Sequence, residues 1–137
     1  MSFMWNVMNC SGVCMMGYLH ENVSRFMKIV TGLDRSVDEL LVCGERIAVM
    51  RHVFTLREGV NPLNNQVHPR IIGEPPFKEG PLAGVRANIE AQVYWNLGAL
   101  DWDMDTTKPS KKKLLSLGLD DIVKELWPPT PKAEARH

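Results

Sequence analysis

The chain predicts an all-α fold, a small helical bundle with a long capped central helix and a proline-rich crossing loop. Three observations point there. Apolar residues recur at helical spacing between recognisable start and stop residues, and strand-like alternation never lasts beyond a few positions. The third is length: 137 residues without an internal repeat suit one domain that buries roughly two-thirds of its unfolded surface. A single helical domain over residues 1–127 is expected, followed by a loose proline-rich tail at 128–137.

The central helix begins in "RSVDELLVCGERIAVMRHVFTLREG". Ser36 and Glu39 make a capping box, in which each side chain accepts the free backbone N–H of the other. Apolar residues follow at Val37, Leu40, Leu41, Ile47, Ala48 and Phe54, with Gly44 where the face would otherwise continue, and Gly59 is placed to close the helix. A helix over residues 37–58 would be about 33 Å long. Upstream, Val23, Phe26, Met27 and Val30 predict a shorter amphipathic helix ending at Gly32. Residues 60–82 carry five prolines and no sustained period, the mark of a surface-hugging or partner-contacting segment. A third helix is expected over 83–97, with Val85, Ile89, Val93 and either Trp95 or Leu97 inward and Gly98 ending it. Ser110 then caps a short helix running to Leu117 and Gly118, Asp120 caps another through Leu126, and Pro128, Pro129 and Pro131 stop it.

Sixteen basic residues balance sixteen acidic ones. Without a net field the chain has nothing to recruit nucleic acid or an anionic membrane, and near neutral pH it lacks self-repulsion, so association is favoured, including with copies of itself. Three cysteines make no secreted disulfide framework, which points to a reducing compartment, the cytoplasm. The stretch before Glu21 is uncharged, yet it lacks a basic leader and is interrupted by Asn6, Asn9 and Ser11, so it reads neither as an export signal nor as a membrane span. It has the apolar character of chain taken from a core.

That stretch holds "NVMNCSGVCMMGY", with Cys10 and Cys14 around Gly12. Two thiols are fewer than the three or four ligands of a metal site built within one segment; buried idle cysteines, a metal contribution and a redox pair all remain open on spacing alone. No basic residue adjoins to lower a thiol pKa, which weakens the redox reading. Cys43, on the main helix, is expected in the core. His20, His52, His68 and His137 form no zinc spacing with these cysteines, and phosphate-loop, dinucleotide and nucleophile-elbow motifs are absent. Glu45, Arg46, Arg51, Arg57 and Glu58 read as structural ion pairing in preference to anion binding, Lys111 to Lys113 as a solvated helix face, and Trp95, Trp102 and Trp127 as packing.

Five short pieces in order, "NCSGVC" (9–14), "GERI" (44–47), "RHVFTLREG" (51–59), "IIGEPP" (71–76) and "PSKKKLLSLGL" (109–119), resemble the C-terminal helical region of the tungsten-dependent aldehyde ferredoxin oxidoreductase family. The resemblance implies that Cys14 is the last ligand of a 4Fe-4S cluster and that Asn9, Gly12 and Val13 lie on a stretch contacting a tungsten-bis-pterin. A thiolate suits iron–sulfur ligation, and glycine lets backbone approach a bulky cofactor. Cys10 has no role in the family pattern. The sequence departs from that pattern at Asn9, where the family has Asp, at Asn65, again in place of Asp, and in "VHPR" (67–70) for L-P-x-R.

The family's pterin-binding domain and its three other cluster cysteines are expected outside these 137 residues. The resemblance implies two alternative functions. In the first, the chain is the C-terminal part of an oxidoreductase that converts an aldehyde to a carboxylic acid with ferredoxin as acceptor. It then supplies one cluster thiolate and part of the cofactor cleft, is inactive alone, holds no cofactor alone, and has the missing pterin- and cluster-binding part as partner. In the second, it is a non-catalytic helical interaction module that retains the fold without the cofactor.

Overall fold

A computed structural model describes residues 3–13 and 22–128. Among them are six α-helices, two short 3-10 turns and two isolated bridges, with no strand or sheet, so the all-α expectation stands. No helix among the described residues is long and apolar enough to cross a membrane. Contacts divide the chain into two units, residues 1–55 and 56–137. The expected tail lies, beyond Pro128, outside the described residues.

The first unit is built from α1 (Phe3–Ser11), α2 (Val23–Thr31) and most of α3 (Val37–Arg57). The sequence did not signal α1, because this helix has no charged face: Met4, Val7 and Met8 form its apolar stripe, and Trp5, Asn9 and Cys10 its exposed side. That stripe packs with Val23 and Leu40 into one core cluster, against which Val13 and Met27 also lie. Of the four apolar residues expected to face inward from α2, the i, i+4 pair Val23 and Met27 does so. Phe26 and Val30 are exposed, Val30 to 79%. Gly32 closes α2 in a left-handed conformation, its N–H bonding the Lys28 carbonyl at 2.9 Å.

The capping box of α3 forms as expected. The Ser36 N–H donates to Glu39 Oε2 at 2.9 Å, and the Glu39 N–H to Ser36 Oγ at 3.2 Å. The buried face of α3 differs from the expected one: it consists of Leu40, Gly44, Ala48, Val49 and Val53, while Val37, Leu41 and Phe54 are exposed. Cys43, expected in the core, is exposed as well. Gly44 decides this rotation. A Cβ there would stand 2.0 Å from the Phe3 carbonyl oxygen and 2.6 Å from its carbon, so only glycine lets the α1 backbone lie directly on α3. The face that looked interrupted at Gly44 is centred on it.

In the second unit the proline-rich segment contains 3-10 turns at Pro62–Asn64 and Pro69–Ile72, capped by the side chains of Asn61 and His68. Discrete bonds hold its path. Arg70 lies 4.5 Å over the Phe77 ring and donates to the Pro75 carbonyl, Glu74 pairs with Arg86 at 2.6 Å, and Asn61 Nδ2 donates to the Asp105 carbonyl. Helix α4 runs Ile89–Leu100, six residues later than expected at its start and three at its end. The Asn88 side chain caps it at the Ala91 N–H, residues 83–85 are used in turns, and Gly98 is carried inside the helix until Asp101 closes it. Leu97 is its buried residue; Val85, in the preceding turns, is exposed, and Trp95 is 81% exposed, against the packing role expected of it.

Ser110 caps α5 (Lys111–Ser116) as expected, bonding the Lys113 N–H at 3.0 Å. Asp120 does not cap α6 (Asp120–Leu126). It is the first residue of that helix, the cap position is Leu119, and no side-chain cap bond forms. Helices α5 and α6 pack together, with Leu114, Leu117 and Leu119 buried. Trp127 does pack, its Nε1 donating to the Pro109 carbonyl at 3.1 Å.

These contacts lead to two measurable outcomes. Gly44→Ala gains about 1 kcal/mol of helix propensity, but backbone atoms at 2.0 Å cannot yield as a side chain can. A net loss of about 2 kcal/mol or more is expected in the urea midpoint. Gly98→Ala, whose Cβ meets only the flexible Met104 Cε at 3.4 Å, is expected to be neutral or stabilising. The second outcome concerns acid. The Ser36 N–H, then the Arg35 guanidinium and the Ser36 hydroxyl, hold the Glu39 carboxyl below its ordinary value of 4.5. A lowered folded-state value means that the cap contributes fully above 4.5 and loses its contribution as pH falls through the folded value. Carboxyl NMR titration is expected to give a midpoint below 4.5 for Glu39, and Arg35→Ala to raise it part of the way back.

Candidate functional site

The motif "NCSGV" is the C-terminal end of α1. Gly12 follows the last helical residue with φ +74°, and the Val13 N–H bonds the Met8 carbonyl at 3.2 Å. This six-to-one bond across a left-handed glycine is a Schellman motif, and Val13 completes it by packing on the cluster that contains Met8 and Val7. The Ser11 hydroxyl donates to the same Met8 carbonyl at 3.0 Å. Gly12 therefore stops the helix, and Val13 fastens the turn to the core.

The four sequence-predicted site residues are distributed unevenly. Asn9 is exposed on the last turn of α1, and its carboxamide makes no hydrogen bond among the described residues. Gly12 is exposed too, and the space where its Cβ would stand is open, so its positive φ requires glycine and no close approach within the chain does. Val13 is half-buried and faces the core. Cys14 lies outside the described residues. Cys10, beside Asn9, is exposed.

The described part of the motif, residues 9–13, is an exposed helix-ending turn fastened to the core by Val13. No group of three His, Cys, Asp or Glu capable of holding a metal occurs among the described residues. A 4Fe-4S cluster takes four thiolates, and this motif carries two cysteines, Cys10 and Cys14. Arg57 and Glu58 lie 3.5 Å apart with both side chains more than half exposed, where a pair contributes little.

A second feature of the first unit involves Arg51, which the sequence placed on or beside the apolar side of α3. Arg51 Nη1 reaches Oδ1 of the buried Asn6 at 3.5 Å, a long contact. An open groove of about 450 Å³ adjoins it, lined by Met50, Arg51, Phe54 and Thr55. Sequence reasoning missed Asn6, since a lone amide among apolar residues gives no signal until a partner 45 residues away is folded beside it.

The geometry first defines a class: a helical chain whose motif-bearing turn opens outward, with no metal-holding group of three among the described residues. The comparisons then define the family. The family model for aldehyde ferredoxin oxidoreductase, domains 2 & 3, matches residues 1–119. A tungsten-containing aldehyde ferredoxin oxidoreductase from Pyrococcus horikoshii is 30% identical over 122 residues, covering 85% of this chain and 20% of the relative. Enzymes of the same description from Pyrococcus abyssi and Pyrococcus furiosus are 29% and 26% identical, with the same shares covered. No solved structure matches. The chain belongs to the aldehyde ferredoxin oxidoreductase family, and it spans about a fifth of the length of the curated relatives it matches.

The Schellman turn makes a specific prediction. Gly12→Ala forces a Cβ into a left-handed backbone and is expected to destabilise the first unit by about 1 kcal/mol, read as a lower urea midpoint, whereas Cys10→Ser on the exposed face is expected to leave it unchanged.

Proposed function

We propose that the chain is the C-terminal helical part of a tungsten-pterin, iron-sulfur oxidoreductase that oxidises an aldehyde to a carboxylic acid with ferredoxin as acceptor. The observation that carries this reading is the family match over residues 1–119, which includes the turn at Asn9–Val13. In this role Cys14 is one thiolate of the 4Fe-4S cluster. Asn9, Gly12 and Val13 border the pterin, with the exposed carboxamide of Asn9 offering a hydrogen bond in place of the family's carboxylate. The bound cofactors supply the oxidation of substrate and the relay of electrons. The residues of this chain hold the turn rigid, set Cys14 two residues beyond a fixed glycine, and close one side of the cleft. The remaining ligands and the pterin domain come from polypeptide outside these 137 residues, so the isolated chain is inactive. Its three cysteines accord with a reducing, cytoplasmic setting.

The alternative, a helical interaction module without cofactor, is favoured by one feature of the turn. Gly12 and Val13 have a complete account in helix termination and core packing, so their presence alone does not require a cofactor. Asn9 in place of Asp points the same way.

Anaerobic mixing of the chain with the polypeptide carrying the pterin domain and the other cluster cysteines separates the two. The first reading predicts a visible iron–sulfur absorbance band that Cys14→Ser reduces or alters and Cys10→Ser leaves intact. Stable association with no dependence of the band on Cys14 would establish the module instead.

A further inference from the structure

The turn at Asn9–Val13 takes its position from α1. Asn9 and Cys10 belong to the last turn of that helix, and among the described residues the Val13 N–H and the Ser11 hydroxyl both donate back to its Met8 carbonyl, while Val13 packs on the cluster that holds Met8. Helix α1 is in turn set on α3 at its first residue. There the Phe3 carbonyl oxygen and carbon would stand 2.0 Å and 2.6 Å from a Cβ on Gly44, so no flexible side chain separates the two backbones. Beyond this contact Met4, Val7 and Met8 join Leu40 and Val23 in the core. Nine residues at a rise of about 1.5 Å carry the turn about 13 Å from Gly44, and a packed helix of that length passes a displacement at one end to the other. A Cβ needs at least 3.0 Å from backbone, so any larger residue at position 44 drives α1 about 1 Å or more away from α3.

We propose that Gly44 is a positioning residue for this turn: its missing side chain sets how far α1 stands from α3, and thereby where the exposed carboxamide of Asn9 and the cysteine that follows Val13 in sequence are presented to the cofactors. Groups that hold a cofactor must be kept within about 0.5 Å of their working geometry. A shift of about 1 Å therefore matters at the turn, although Gly44 contacts the opposite end of α1. Direct backbone contact suits that task, because it leaves no side-chain rotamers through which the spacing could vary. The inference rests on the proposed role of the turn at the cluster and the pterin.

The test has two readouts. In the chain carrying Cys14→Ser, spin labels on the exposed Cys10 and Cys43 report the distance between the last turn of α1 and α3, and Gly44→Ala is expected to shift it by about 1 Å or more. In the complex formed anaerobically with the polypeptide that carries the pterin domain and the other cluster cysteines, Gly44→Ala is expected to alter the electron paramagnetic resonance of the cluster and to make its visible band bleach at least about tenfold faster under a chelator. Val53→Ala removes buried volume from α3 outside the α1 cluster; it is expected to lower the urea midpoint and to leave both readouts at wild-type values. Val23→Leu, which adds a methylene inside that cluster, displaces α1 without touching Gly44, and the same two changes are expected from it if Gly44→Ala folds too poorly to label. Unmoved labels overturn the proposal and leave the functional reading intact. So does a shifted turn with wild-type resonance and bleaching, or a change that Val53→Ala reproduces. A wild-type complex with no band dependent on Cys14 removes both.

Discussion

The first unit depends on a side chain that is not there. At Gly44 the α1 backbone lies so close to α3 that a Cβ would fall within 2.0 Å of the Phe3 carbonyl oxygen. That approach brings Met4, Val7 and Met8 down onto Leu40 and Val23, and it rotates α3 so that Leu40, Gly44 and Ala48 face inward while Leu41, Cys43 and Phe54 face out. Full burial of each such apolar side chain is worth roughly 1.5–3 kcal/mol, so one close crossing organises most of the unit's hydrophobic stabilisation. Helix propensity alone would disfavour glycine at this position by about 1 kcal/mol; packing outweighs it.

The same crossing sets the motif turn. Once the stripe of α1 is held on α3, the helix must end where its carbonyls can be satisfied, and Gly12 with Val13 achieves this by bonding and packing back onto Met8. Asn9 and Cys10 are thereby left on the outward side of the last turn. The result is a rigid turn with an open face. A cofactor wall needs that arrangement, and so does an ordinary well-terminated helix, which is why the motif by its residues serves either reading of function.

Legibility tracked the range of the interaction. The Ser36–Glu39 box, the Gly32 stop and the Ser110 cap are bonds between residues a few positions apart, and each could be read from the chain. The start of α4 was misplaced because Val85 and Ile89 share helical spacing. The chain instead used Ala83 and Gly84 to return to Phe77, leaving Asn88 as the first competent cap. Asp120 had the chemistry of a cap without the geometry, since the helix begins on it. Helix α1 gives no such signal, because its outer face is Trp, Asn and Cys, with no charged residue to mark it.

By itself the sequence determined the helical class, most helix ends and, through five short pieces in order, the family. These rest on local hydrogen bonding and on residue identity, which do not need a partner to be expressed. The tertiary structure decided which faces are buried, that Gly44 is a point of contact and not a gap, that Gly12 and Val13 terminate a helix, and that Arg51 reaches the buried Asn6. Those outcomes depend on where segments tens of residues apart come to lie. Periodicity can name a stripe, but only a packed neighbour selects which of two adjacent stripes is turned away from water.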